Sequence, residues 1–256
     1  MKIFATSDIH SFFTPFKKAL DEKGFEPNNS EHLLVVCGDL FDRGDESNEL
    51  LEFINSLTNV VLIRGNHEDL IEEVWGRGYY ESHDRSNGTQ KTINNIFYKN
   101  SNVEPYTPLK VSEKLLSPVL NRMVDYFETE HYIFCHSWIP RKAEYTGKTK
   151  AWYNYDITYK YMPDWREAND VEWMEARWPN PFKLAKEGFN QTGKTIVFGH
   201  WHTSWPRYHN DGMPEFSEAA DFSPYYGDNF IGLDACTAYT KKCNVIVIED
   251  NLLSED

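Results

Sequence analysis

Short apolar runs recur along the chain, and each stops at a residue able to hold a metal. Lys2–Thr6 runs into Asp8 and His10, Leu33–Cys37 into Gly38 and Asp39, and Val60–Ile63 into Asn66 and His67. Tyr132–Cys135 runs into His136, and Thr195–Phe198 into His200 and His202. Runs of this length and composition predict fully buried strands. In open α/β sheets ligands bind just beyond the carboxyl ends of the strands. The pattern therefore gathers Asp, Asn and His along one edge of one sheet, which predicts a metal site.

Between the strands the period turns helical, from Pro15 to Gly24, over Glu46–Asn55, and again over 69–76, where Asp69 is an acid of the first turn. Strand, helix and strand with short links predict parallel pairing through right-handed crossovers. From Gly76 to Pro108 the chain reads as polar loops around a short helix at Thr89–Tyr98, and Val111–Tyr126 reads as one more helix. The segment 139–194 has no clear period and is crowded with Trp152, Tyr153, Tyr155, Tyr159, Tyr161, Trp165, Trp173 and Trp178. Such a segment reads as an insertion within a single domain spanning 1–256. It is either a lid over the site or a satellite hydrophobic cluster under a long loop. Near the C-terminus, Asn229–Asp234 and Cys243–Ile248 read as a hairpin turning through Tyr239–Lys242.

Charge narrows the partners. Forty acidic against 26 basic side chains give a net −14, which argues against holding duplex nucleic acid. It does not argue against a phosphate substrate, because two cations facing Asp8 and Asp39 would leave local positive charge. No apolar stretch approaches the ~20 residues that span a bilayer, and the N-terminal residues lack a secretory pattern. Cys37, Cys135, Cys236 and Cys243 form no Cys-x-x-Cys pair. They read as reduced thiols of a cytoplasmic protein.

The candidate ligands mix carboxylate, amide and imidazole without thiolate, a set suited to Mn²⁺, Fe, Zn²⁺ or Mg²⁺. Asp8 and His10 share one side of an extended segment. In Gly38-Asp39-Leu-Phe-Asp42-Arg43-Gly44, Asp39 can bridge two cations and Arg43 can fork onto phosphate oxygens. Asn66 offers a carbonyl oxygen, and His67 beside it is free to act as an acid. A bridging Asp with other ligands on either side suggests two ions.

The strings GDLFDRG (38–44) and GNHE (65–68), with the Asp8, His136 and His200 positions and Ile231-Gly-Leu-Asp234, resemble the calcineurin-like metallophosphoesterase superfamily. Within it they resemble the Ser/Thr protein phosphatase branch, which includes diadenosine tetraphosphatases. Ser7 and Ser11 around the first motif, Ser137-Trp138 after His136, and His202 depart from that branch. The resemblance implies a mixed α/β, four-layer fold of two packed sheets flanked by helices. It implies one ion, with Mn²⁺ expected first, on Asp8, His10, Asp39 and His202, and a second on Asp39, Asn66, His136 and His200. It further implies direct attack of water on a phosphomonoester of a protein or peptide. The alternative substrate is a nucleoside polyphosphate such as diadenosine tetraphosphate. His67, oriented by Asp42, would protonate the leaving group, Arg43 and Arg177 would bind phosphate (with Arg141 as the rival for the second place), and Asp234 would orient a ligating histidine.

Overall fold

The computed structural model describes residues 1–104, 106–145 and 157–253. Its strands are β1 (Lys2–Thr6), β2 (His32–Cys37), β3 (Val60–Ile63), β4 (Tyr126–Glu128), β5 (Tyr132–Cys135), β6 (Arg141–Tyr145), β7 (Ile157–Tyr161), β8 (Thr195–Phe198), β9 (Tyr225–Gly227), β10 (Phe230–Gly232) and β11 (Val245–Glu249). The five ligand-bearing strands lie where the apolar runs predict them. They do not share one sheet. β1, β2 and β3 pair in parallel in a sheet of order β11-β1-β2-β3, whereas β5 and β8 pair in parallel in a second sheet of order β4-β5-β8-β10-β9. Periodicity reports burial on both faces of a strand but not its neighbour, so one sheet and two give the same pattern.

The two sheets pack face to face, and alternation within each strand divides the side chains between two cores. Ile3, Ala5, Leu33, Val35 and Cys37 of the first sheet meet Phe134, Val197 and Ile231 of the second. Phe4, Leu34 and Val36 point outward beneath the helices at Phe13–Glu22, Ser47–Ser56 and Pro108–Leu120. On the outer face of the second sheet, Ile133, Cys135, Ile196 and Phe198 meet Trp138, Trp165, Trp173 and Phe182. Much of the aromatic segment is therefore core. It forms the β6–β7 hairpin, a turn at Trp165–Glu167 and short helices at Asp170–Ala176 and Pro181–Lys186. Trp152, Tyr153 and Tyr155 lie outside the described residues.

Two predicted elements differ. The helix begun at Pro108 ends at Leu120, and Tyr126 belongs to β4, which pairs antiparallel with β5. The C-terminal hairpin does not form. β10 joins the second sheet beside β8, and β11 joins the first beside β1. A short helix at Thr237–Thr240, bounded by left-handed Cys236 and Lys241, carries the chain from one sheet to the other. Among the described residues no helix is long and apolar enough to cross a membrane.

Candidate metal centre

The carboxyl ends of β1, β2, β3, β5 and β8 converge, and the backbone there is tightly turned. Asp8, His10, Ser11, Asp39, Asp42, Arg43 and His200 all have φ between 50° and 73°. Non-glycine residues seldom occupy that region, and such strain concentrates at functional sites. Bonds between the loops hold it in place: Asp8 N–H donates to the Gly38 carbonyl at 3.1 Å, and His10 N–H to the Asp39 carbonyl at 3.0 Å. His200 N–H donates to Asp8 Oδ2 at 2.9 Å and His67 N–H to Asp39 Oδ1 at 3.1 Å. The loops approach so closely that a Cβ on Gly199 would lie 2.1 Å from Asp8 Oδ2, and one on Gly38 (φ +82°) 2.3 Å from His136 Nδ1.

Three imidazoles have their tautomers set by backbone carbonyls, which only accept. His10 Nδ1–H donates to Phe41 O, His136 Nδ1–H to Cys37 O and His200 Nε2–H to Trp178 O, each at 2.9 Å. The opposite ring nitrogens are left as bare lone pairs. His136 Nε2 lies 3.1 Å from His200 Nδ1 and 2.9 Å from Asn66 Oδ1, with Asp39 Oδ1 at 3.5 Å. His10 Nε2 is buried with no partner, 3.6 Å from Asp39 Oδ2 and 3.9 Å from Asp8 Oδ1. In these tautomers the free ring nitrogens face only one another and the side-chain oxygens of Asp8, Asp39 and Asn66. Buried lone pairs in that arrangement repel and call for cations. Asp39 lies between the two groups, one oxygen toward His10 and the other toward His136, so the residues present fit two divalent ions.

Charge supports the same fit. Burial pushes the Asp8 carboxyl well above its ordinary range, with Asp234 and Asp39 adding repulsion. Burial also raises Asp39, but the imidazoles of His136, His67 and His10 outweigh it and hold the group ionised. Burial lowers His10 and His136 and brings His200 down to about 3. Neutral imidazoles beside a carboxylate are the protonation states that metal binding needs.

Beside this cluster, His67 Nδ1–H donates to Asp42 Oδ2 at 2.8 Å, and its Nε2 accepts from Arg43 at 3.1 Å. Burial lowers the His67 pKa, but Asp39 and Asp42 more than offset it, so the ring titrates above its ordinary value. Four expected residues are placed otherwise. His202 turns to Ser204 Oγ at 2.9 Å and Glu215 at 3.4 Å, apart from the gathered ligands. Arg177 is buried, with its terminal nitrogens on Asp69 (2.8 Å) and Asp125 and its Nε without a partner. Arg141 lies over the Tyr159 ring at 4.1 Å. Asp234 Oδ1 accepts from Cys236 N–H at 2.6 Å and reaches no histidine.

Three supporting groups escaped sequence reasoning. Glu68 is fully buried, and its carboxylate accepts from the amides of Asp39, Leu40 and Gly65 at 2.9–3.0 Å, clasping two ligand loops. Its place three residues after Gly65, as in a helix-capping box, was the available signal. Thr89 Oγ1 donates to Asp42 Oδ2 at 2.7 Å across 47 residues. The third is the Trp178 carbonyl, which no side-chain pattern reveals.

The model of the calcineurin-like phosphoesterase family matches residues 1–222. A stretch of 69 residues is 41% identical to a symmetrical bis(5'-nucleosyl)-tetraphosphatase of Aromatoleum aromaticum, covering 27% of this chain and 24% of that protein. The match thus spans about a quarter of the curated relative's length. A protein serine/threonine phosphatase from Saccharomyces cerevisiae superposes with TM-score 0.52 at 14% identity, covering 100% of this chain and 81% of the other. A cold-active protein-tyrosine phosphatase of a psychrophilic Shewanella gives 0.51 at 16%, covering 98% and 76%; both share the fold. With the family match extending over every ligand from Asp8 to His200, and with those ligands drawn to one point, this chain belongs to the calcineurin-like phosphoesterase family.

Proposed function

We propose that the chain hydrolyses the phosphoanhydride of a dinucleoside tetraphosphate, using two divalent cations held by Asp8, His10, Asp39, Asn66, His136 and His200. The observation that carries the metal assignment is the acceptor-only cluster around Asp39. The substrate class is supported by the 69-residue stretch that is 41% and 38% identical to two symmetrical bis(5'-nucleosyl)-tetraphosphatases. Mn²⁺ is the first ion to try, with Fe, Zn²⁺ and Mg²⁺ also matched by the donor set.

When bound, the two ions supply charge for the phosphate oxygens and a water activated near neutral pH. The chain's own residues do the rest. Water oxygen bonds to one central phosphorus, the anhydride P–O bond breaks, and the bridging oxygen leaves with the second nucleoside diphosphate. His67 Nε2 carries the proton for that oxygen, while Asp42 holds Nδ1–H and so fixes the ring. Arg43 Nη2 occupies Nε2 in this structure. Both groups become donors once His67 is protonated, so Arg43 must swing to a phosphate oxygen for the acid to form.

Phosphomonoester hydrolysis retains support from the GDLFDRG and GNHE strings. Turnover with Mn²⁺ of diadenosine tetraphosphate, a phosphoserine peptide and p-nitrophenyl phosphate, compared as kcat/KM, separates the two. The proposal expects the dinucleotide to lead; fast peptide dephosphorylation with little dinucleotide cleavage overturns it.

A further inference from the structure

Two cavities lie near the ligand cluster, one reached from the Asp8 side through Asp234 and one from the His200 side through Trp178, with no ligand side chain in either lining. The larger, about 600 Å³, is bounded by Phe222 and Tyr239, with Ala235, Lys242 and Asn244 also lining it. Ala235 directly follows Asp234, the carboxylate whose charge acts on Asp8. The Phe216, Phe222 and Tyr239 rings form a triangle with centroids 5.5–6.1 Å apart, and His202 packs on Phe216 at 4.7 Å. The other cavity, about 440 Å³, opens between Arg141, Tyr159 and Trp178, with Glu172 and Glu175 beside them. It meets the opposite half of the cluster, because the Trp178 carbonyl holds His200 and Ser137, next to His136, donates to the Pro179 carbonyl at 2.6 Å.

Both cavities fall within the size range of small-ligand sites, and both leave large rings in water. Phe216 is 52% exposed, Tyr239 53%, Tyr159 39% and Trp178 48%. Covering these rings would favour a flat ligand, since an aromatic side chain gains most when buried. A flat aromatic ligand suits the ring-lined walls. Lys242 adds a cation for a phosphate on one side, and the guanidinium of Arg141 can stack on or pair with the ligand on the other.

We infer that the two cavities are nucleobase subsites, one for each arm of a substrate carrying a base at both ends of a polyphosphate. The inference rests on the phosphoanhydride function proposed above. Symmetric cleavage places the central P–O–P at the metal ligands, so two equivalent arms leave from the two halves of the cluster. One aromatic cavity at each half meets that requirement, whereas a phosphopeptide has no second aromatic end to fill it.

The test uses Tyr239→Ala and Tyr159→Ala, singly and together, in the full chain with Mn²⁺. The readout is kcat/KM for diadenosine tetraphosphate relative to p-nitrophenyl phosphate in the same preparation. Each single change is expected to lower that ratio about tenfold through KM, the scale of one lost base–aromatic stack, and the double change about a hundredfold. An unchanged ratio in both variants overturns the subsites while leaving the proposed activity intact. A drop confined to one variant overturns the two-sided assignment. Absence of dinucleotide cleavage in the wild type, with p-nitrophenyl phosphate still hydrolysed, overturns the activity and the subsites together.

Discussion

His67 sets the clearest expectation at the scale of single residues, because the value of its proton depends on what leaves. An oriented imidazole is worth about 10²–10⁴-fold where the leaving group is basic. His67→Asn is expected to cost at least about a hundredfold on an alkyl phosphate. The loss should be much smaller on an aryl phosphate, whose leaving oxygen needs little help. Equal losses on the alkyl and aryl substrates would remove His67 from the acid role. Gly199 matters for the space it leaves. A methyl there would sit 2.1 Å from Asp8 Oδ2, and the strained loop has no slack to move. Gly199→Ala is expected to keep the far-UV spectrum of the wild type and bind one ion instead of two; two ions retained by elemental analysis would contradict it. The residues gathered at the site were legible in the sequence because each follows an apolar strand. Thr89 and the Trp178 carbonyl were not, since one acts across 47 residues and the other through its backbone.

At the scale of elements, the aromatic segment carries structure as well as surface. Trp165 is fully buried, edge-on to Tyr126 at 4.8 Å and to Trp173 at 6.0 Å. Trp165→Ala should cost about 3–5 kcal/mol of unfolding free energy by urea titration. A loss below about 1 kcal/mol would mean the segment is not integral to the domain. A second expectation concerns the rim joining the two sheets. Asp250, just past β11, accepts from Thr129 Oγ1 at 2.6 Å, His131 N–H at 2.9 Å and His131 Nδ1–H at 2.7 Å, in the turn between β4 and β5. Burial raises the Asp250 pKa, but these bonds prevail and bring it from 3.8 to about 2. The bond to Asp250 raises His131 above its ordinary 6.5. A depressed carboxyl stabilises above 3.8 and loses that as pH falls toward 2; a raised imidazole stabilises below 6.5 and loses it as pH climbs through its raised pKa. The penalty of Asp250→Asn, read from urea midpoints, should therefore be greatest between pH 3.8 and 6.5 and shrink on both sides. A flat pH profile would contradict it. Strand positions were legible from composition. The division of strands between sheets and the crossing at Thr237–Thr240 were not, because both depend on partners far away in sequence.

Across the whole molecule, two stacked sheets bring their carboxyl ends to one point, and neither sheet alone holds a complete ligand set. Asp8, His10, Asp39 and Asn66 come from the first sheet, and His136 and His200 from the second. The proposed dinuclear chemistry would thus depend on the packing of Ile3, Val35, Phe134 and Val197 between the sheets, and two bound ions would offset the acidic net charge of −14 locally. The resemblance carried by GDLFDRG and GNHE made the family readable from the chain. The substrate was less readable, because those strings surround phosphate and not what is attached to it. The most direct test is hydrolysis of diadenosine tetraphosphate in H₂¹⁸O by the Mn²⁺-loaded chain, with products resolved by mass spectrometry. The account predicts two molecules of adenosine diphosphate, one of them carrying a single ¹⁸O in its terminal phosphate. Unequal products, or no cleavage by a chain that still releases phosphate from a phosphopeptide, would contradict it.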